Sequence, residues 1–206
     1  MTTLFIDTTY DITLGLMDDA MRWIDFRRFQ SAKASSTLQV ESHKLLHDYS
    51  VDPKNLKSLV TVAGPGFYTG LRLSEGFADV FSFFQIPHYS FYSFEIPKWC
   101  GVRSGVWMTK AYRGEYFFHH WDEGSRKNVL ISSSELEEYL KPLEHLYIHS
   151  DTSLDEKSRN LISKSESSIE LLRTNPNTIF QNIFDQKIKQ ESYYFRAPED
   201  EFKVSV

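Results

Sequence analysis

The segment from Leu59 to Phe84 constrains the fold most. Leu59-Val60-Thr61-Val62-Ala63 is an apolar run of strand length, and Gly64-Pro65-Gly66 stops it sharply. From about Thr69 to Phe84 the apolar residues then recur at helical spacing, until Pro87 closes the helix. The glycines permit positive φ and close backbone approach. A phosphate can rest on a helix N-terminus at such a junction. However, no Lys stands in the GK[ST] arrangement, and glycines at 64, 66, 70 and 76 do not fit GxGxxG. A turn that packs tightly is the simpler reading.

Before this junction the chain reads as strands. Leu4-Phe5-Ile6 ends in Asp7-Thr8-Thr9, Ile12, Leu14 and Leu16 alternate with polar or small residues, and Trp23 to Phe29 reads as a third strand after an Asp18-Asp19 turn. The period then changes. Leu38, Ser42, Leu45, Leu46 and Tyr49 predict a helix over Ser36–Tyr49, opened by a Ser36/Gln39 capping box and ended by Val51-Asp52-Pro53. A short strand is expected at His88–Phe94.

A second module begins near Gly101–Gly105. Strands are expected at Val106-Trp107-Met108, Tyr116–Trp121, Val129-Leu130-Ile131 and Leu146-Tyr147-Ile148. Ser132 and Glu135 cap a helix through Leu140, which Pro142 ends. Asp151 to Glu170 is weakly patterned and reads as a loop with one solvated helix. Ile179, Ile183 and Ile188 predict a last helix, followed by Ser192-Tyr193-Tyr194-Phe195-Arg196. The two modules give lobes at 1–100 and 101–206. No repeat of fixed period is visible.

Composition excludes several classes. With 206 residues the chain is long enough to bury a core without staples. Cys100 is the single cysteine, so neither an internal disulfide framework nor a cysteine zinc cluster is available. A net charge of −5 argues against a broad nucleic-acid-binding surface. Neither an apolar leader nor a membrane span is visible, which sets the expectation of a soluble cytoplasmic protein.

The candidate chemistry is sparse. Asp7, Thr8 and Thr9 are a possible phosphate or metal contact at a strand end, with an Asx or ST turn as the plain alternative. His43 and His47 share a helix face at i,i+4, but Lys44 stands where HExxH has Glu. His119 and His120 point to opposite strand faces. His145 and His149 lack an acidic companion at ligand spacing. No GxSxG elbow is present, and nothing in the sequence orders a Ser-His-Asp triad.

The helix from Thr69 to Phe84 carries two neighbouring apolar stripes, Leu73-Phe77-Val80-Phe84 and Leu71-Ala78-Phe81. Together they cover roughly half its circumference, wider than the ~100° face of an ordinary surface helix. Its polar side is Arg72, Glu75, Asp79 and Ser82. Such a helix packs on its own sheet and on a second element, either the helix Ser36–Tyr49 or a partner chain.

Four motifs occur in a fixed order: DTTYDITLGL at Asp7–Leu16, GPGFYTGLRLSEGFA at Gly64–Ala78, YRGEYFF at Tyr112–Phe118 and SYYFR at Ser192–Arg196. The set resembles the TsaB (YeaZ) family, the accessory subunit for threonylcarbamoyladenosine synthesis on tRNA. Phe67-Tyr68 stand where the family has Ser-Phe, and Ser74 where it has Gly. The resemblance implies an α/β fold of the actin/Hsp70/sugar-kinase type with two lobes. Gly64, Pro65, Gly66, Thr69, Gly70 and Arg72 match its central turn, and Asp7, Thr8 and Thr9 become a vestigial nucleotide contact.

The resemblance further implies a non-catalytic scaffold without cofactor or metal. Its partners would be a TsaD-type catalytic subunit, a TsaE-type ATPase through that pair, and tRNA indirectly, with a homodimer when alone and no membrane. Catalytic relatives carry a metal-binding histidine pair after Ile-Pro. Here Ile86-Pro87 leads into HYSFYSFE with His88 alone. The expected partner face is Leu38, Leu45, Leu46, Tyr49, Leu73, Phe77, Val80 and Phe84. The alternative is a degenerate enzyme that holds a nucleotide between the lobes at Asp7–Thr9 and Gly64–Gly66.

Overall fold

The structure is a computed structural model that describes residues 2–30, 34–149, 154 and 156–195. Its first sheet contains β1 (Thr3–Asp7), β2 (Ile12–Met17), β3 (Trp23–Phe29), β4 (Ser58–Gly64) and β5 (His88–Tyr92), in the order β3-β2-β1-β4-β5. The hairpin strands β1, β2 and β3 are antiparallel, whereas β4 and β5 run parallel to β1. Helices α1 (Ala34–Asp48) and α2 (Tyr68–Phe83) supply the crossovers that parallel neighbours require.

Alternation along the strands sorts side chains between two cores. Leu4, Ile6, Ile12, Leu14, Leu16 and Leu59 face α1 and α2, where they meet Leu38, Leu45, Leu46, Ala78 and Phe81. Phe5, Met17, Val60 and Val62 face the other way, onto Ile96 of α3 (Ile96–Trp99). Covering both faces explains why β1, β2 and β4 are buried along their full length.

The second sheet repeats this plan. Its strands are β6 (Gly105–Lys110), β7 (Glu115–Trp121), β8 (Arg126–Ser132), β9 (Leu146–Ile148) and β10 (Glu166–Ser167), in the order β10-β9-β6-β7-β8. Again a three-strand meander is joined edge to edge with parallel strands. Helices α4 (Leu136–Leu140) and α5 (Glu156–Leu161) cover one face through Leu136, Leu140 and Leu161, with Ile162 just past α5. Ser132 and Glu135 form only half of the expected capping box: the Ser132 N–H donates to Glu135 Oε2 at 3.3 Å and its Oγ donates to the same oxygen at 2.5 Å, while the N-cap of α4 is Glu135, without a side-chain cap bond.

The boundary expected at 101–206 needs correcting. Helices α6 (Ser168–Thr174) and α7 (Pro176–Asp185) return to the first sheet, where Leu172, Ile179, Phe180 and Ile183 complete its second core. The chain then runs beside β5, where Ser90 bridges Lys189, and reaches the central turn, where Gly66 bridges Tyr194. The one helix expected within Asp151–Glu170 is α5, whereas the weak patterning there hid the start of α6. Residues 151–153 and Arg196 lie outside the described residues.

Candidate functional site

The C-terminal ends of β1 and β9 meet between the lobes. The Asp7 carboxylate accepts at Oδ1 from the Thr9 backbone N–H (2.9 Å) and the Thr9 hydroxyl (2.7 Å). Its Oδ2 lies 2.8 Å from His149 Nε2, and both side chains are almost fully buried. His149 Nδ1 is 3.1 Å from the Ser168 hydroxyl, which donates to the Ile148 carbonyl and accepts from the Trp107 indole N–H at 3.2 Å. Burial alone would raise the Asp7 pKa. The attraction and hydrogen bond of His149, with the two Thr9 donors, override burial and hold the carboxyl below its ordinary value.

The sequence gives His149 no acidic companion. The structure corrects this, since Asp7 lies 142 positions away along the chain. No local spacing encodes such a pair, because it follows from the matching placement of two strand ends in two lobes. The chemical order Ser168-His149-Asp7 is that of a hydrolase triad. Its setting is different. Ser168 is 0% exposed, and its hydroxyl is already shared among His149, Trp107 and the Ile148 carbonyl. The space left beside Asp7, Thr9, Tyr10 and His149 is about 10 Å³, roughly that of one water molecule.

Two aromatic residues close the cleft above this network. The Tyr10 hydroxyl donates to the Lys110 carbonyl, tying the β1–β2 turn to the second lobe. Phe67 stands edge-on to Tyr10 at 4.9 Å and to Phe195 at 6.4 Å. The vestigial nucleotide contact at Asp7, Thr8 and Thr9 is therefore occupied by the protein's own groups.

The central turn is explained by close approach. Gly64 has φ +115°, and a Cβ there would lie 2.6 Å from the Tyr193 carbonyl oxygen. At Gly70 a Cβ would lie 1.9 Å from the Thr8 carbonyl oxygen, so α2 starts against the β1–β2 turn. The Thr8 hydroxyl donates to the Gly70 carbonyl at 2.6 Å and pairs with the Ser74 hydroxyl at 2.5 Å. Ser74 thus joins α2 to this turn where the family has glycine. Pro65 and Gly66 are buried, Thr69 is exposed, and Arg72 reaches outward over the Tyr68 and Tyr194 rings while pairing with Glu75 at 2.8 Å.

Only part of the expected partner face looks outward. Leu38, Leu45 and Leu46 are core residues packed beneath α1, so they are corrected to the lobe's own interior. Leu73 and Phe77 are half-buried against that same core. Tyr49, Val80 and Phe84 are exposed at 42%, 60% and 38%. Phe83, at 84%, and Val40, at 50%, belong to the exposed set and were missed. The signal was present, since Gly76, Val80 and Phe83 follow i, i+4, i+7 on one face.

The remaining histidines are dispersed. His43 and His47 stack on the exposed side of α1 with ring centroids 6.2 Å apart. His119 and His120 bond to Asn128 and Tyr139, respectively. His88 bonds Thr61 at 2.9 Å, and burial followed by the nearby Lys189 pushes its pKa down to about 4. Among the described residues no group of three His, Cys, Asp or Glu is placed to hold a metal, and no helix is long and apolar enough to cross a membrane.

Two five-stranded sheets of identical order, with helices on their faces, define a two-lobed α/β fold. Within that class the fold is YeaZ-like. A Pseudomonas aeruginosa structure described as an uncharacterized protein with similarity to peptidase YeaZ superposes with a TM-score of 0.63 at 14% identity, covering 93% of this chain and 95% of that one. YeaZ from Pseudomonas aeruginosa gives 0.61 at 14% identity over the same shares. The ethanolamine utilization protein EutJ from Carboxydothermus hydrogenoformans gives 0.50 at 12% identity, covering 87% of this chain and 89% of that one. No family model and no curated protein matches the sequence.

Proposed function

We propose that this chain is a non-catalytic scaffold subunit in threonylcarbamoyladenosine modification of tRNA. It docks on a TsaD-type catalytic subunit through the outer face of α1 and α2, and engages a TsaE-type ATPase through that pair. It works in the cytoplasm, needs no cofactor of its own, and meets tRNA through its partner. When alone, the same face pairs two copies, since a self-complementary patch suits a two-fold contact.

The observation that carries this reading is the apolar face itself. Val80 and Phe83 on α2, with Val40 on α1 and Tyr49 just past its end, are exposed on or beside two helices that pack on the same core of one sheet. Exposed aromatic and aliphatic groups on neighbouring helices are the side chains an interaction site uses. The sealed cleft supports the non-catalytic half of the proposal. Asp7 is engaged by His149 and Thr9, and Tyr10 and Phe67 fill the entrance. The degenerate-enzyme alternative needs that volume for a nucleotide, and the cleft leaves about 10 Å³.

The test is reconstitution with the catalytic and ATPase subunits of the same organism. The proposal expects a complex that co-sediments and modifies tRNA only when this chain is present. Modification at full rate without the chain, or no association at micromolar concentrations, would contradict it.

A further inference from the structure

One spaced pair of histidines is not used by the apolar contacts of the docking face. His43 and His47 stand one helical turn apart on α1, which places two imidazoles on the same side of the helix. At ~100° per residue, Val40, His43 and His47 fall within about 60° of one another, opposite the buried Leu38, Ser42 and Leu45. The pair therefore occupies the outward side of α1, beside the exposed Val40.

The two rings are nearly parallel, with centroids 6.2 Å apart and planes inclined by 19°. Both side chains are exposed, and among the described residues neither ring has a hydrogen bond or an ion pair. Their ring nitrogens are open to a ligand. The neighbouring Lys44 pairs with Glu41 at 2.7 Å, which offsets the one cation beside them on the same helix turn. Two imidazoles on one zinc ion, with Zn–N of about 2.0–2.1 Å, bring their ring centroids to roughly 5 Å. A small rotation of two exposed side chains covers the difference.

The ligand count decides what completes the site. Nitrogen donors of this kind suit zinc and its neighbours, not calcium or magnesium. A structural zinc takes four ligands in a tetrahedron. One chain offers two, and among the described residues no third His, Cys, Asp or Glu joins them. A two-fold contact presents the same residues twice. Two copies that meet across α1 supply four imidazoles.

We propose that His43 and His47 form half of a zinc site, completed by the same pair from a second copy of this chain. The inference rests on the pairing of two copies through the α1–α2 face and adds the ion that fastens it. The zinc joins two helices and takes part in no reaction.

The test is sedimentation of the full chain in EDTA and in micromolar zinc chloride, with the bound zinc counted. Zinc should convert the chain to a dimer, or tighten an existing dimer at least about tenfold, with one zinc for each two chains. His43→Gln and His47→Gln replace exposed side chains, so each should keep the wild-type melting temperature in EDTA and lose the response to zinc. His145→Gln, at an exposed histidine elsewhere, should respond as wild type does. The proposal is overturned if zinc leaves the association unchanged, if one zinc binds per chain without pairing, or if either α1 variant still responds. The two readings fail separately. Equal pairing in EDTA and zinc refutes the zinc link and keeps the α1–α2 contact, whereas a monomer in EDTA that pairs in zinc keeps the zinc link and refutes metal-free pairing.

Discussion

Replacing His149 with Ala should expose how strongly the two lobes depend on the buried Asp7–His149 hydrogen bond. The substitution strips Asp7 of its partner but keeps the carboxylate in a site where Asp7 is 2% exposed. Thr9 still donates twice, which compensates only part of the loss. Breaking a buried pair by removing one member costs about 3–5 kcal/mol. Ser168 also loses one neighbour, although its bonds to Ile148 and Trp107 remain. With a urea m-value of about 2–3 kcal/mol/M, the unfolding midpoint should fall by roughly 1–2.5 M.

The companion variant Asp7→Asn and the double variant complete a cycle, and the double should cost less than the sum of the singles. Acid provides an independent check of sign. The folded pKa of Asp7 lies below its unfolded value of 3.8, so its contribution is fully present above about pH 4. It is lost as the pH falls through the folded value, and the Asp7→Asn variant should lack that component. A midpoint shift under about 0.5 M for His149→Ala, with additive singles, would show that the pair contributes little and refute the reasoning.

Other consequences follow from the same geometry. Gly70→Ala should destabilise by more than about 2 kcal/mol, because its Cβ meets the Thr8 carbonyl, whereas Gly76→Ala should stabilise by about 0.5–1 kcal/mol in open space on the same helix; melting curves of the two variants test both. His88 should titrate with a midpoint near about 4 in NMR, against 6.5 for a free imidazole. Because that shift is downward, His88 adds to acid lability between those two values, with stability falling as the pH falls. A fluorophosphonate probe should leave Ser168 unlabelled in the folded protein, since its hydroxyl is inaccessible and fully engaged.

Much of the fold was legible wherever one residue decided local structure. Gly64-Pro65-Gly66 ended β4, the helical spacing of Leu38, Leu45 and Leu46 placed α1, and the Ser132/Glu135 pair placed the turn before α4. The duplication of strand order was invisible. It resides in hydrogen-bond topology, and β9 and β10 are only short strands with little sequence pattern. The return of α6 and α7 to the first lobe was equally hidden, since an apolar stripe such as Ile179 and Ile183 shows burial but not against which sheet.

The candidate site shows the same division. Helical period located the apolar stripes on α2 but could not separate Phe77, which is half-buried, from Val80 in the same stripe, which is exposed. That distinction depends on how the helix is rotated about its axis. The tight contacts of Gly70 and Ser74 with Thr8 set that rotation. The Asp7–His149 pair depends on the approach of two lobes, for which the linear sequence has no marker.

The most direct test of the scaffold reading is the affinity of Phe83→Asp for the TsaD-type subunit. Phe83 is 84% exposed in the isolated chain, so the substitution should leave the melting temperature within error of wild type. Burying a Phe side chain at a contact contributes about 1.5–3 kcal/mol, and an aspartate placed there adds a desolvation cost. Sedimentation equilibrium should therefore show association weakened by about a hundredfold or more. A folded Phe83→Asp protein that binds the catalytic subunit as tightly as wild type would contradict docking through the face of α1 and α2.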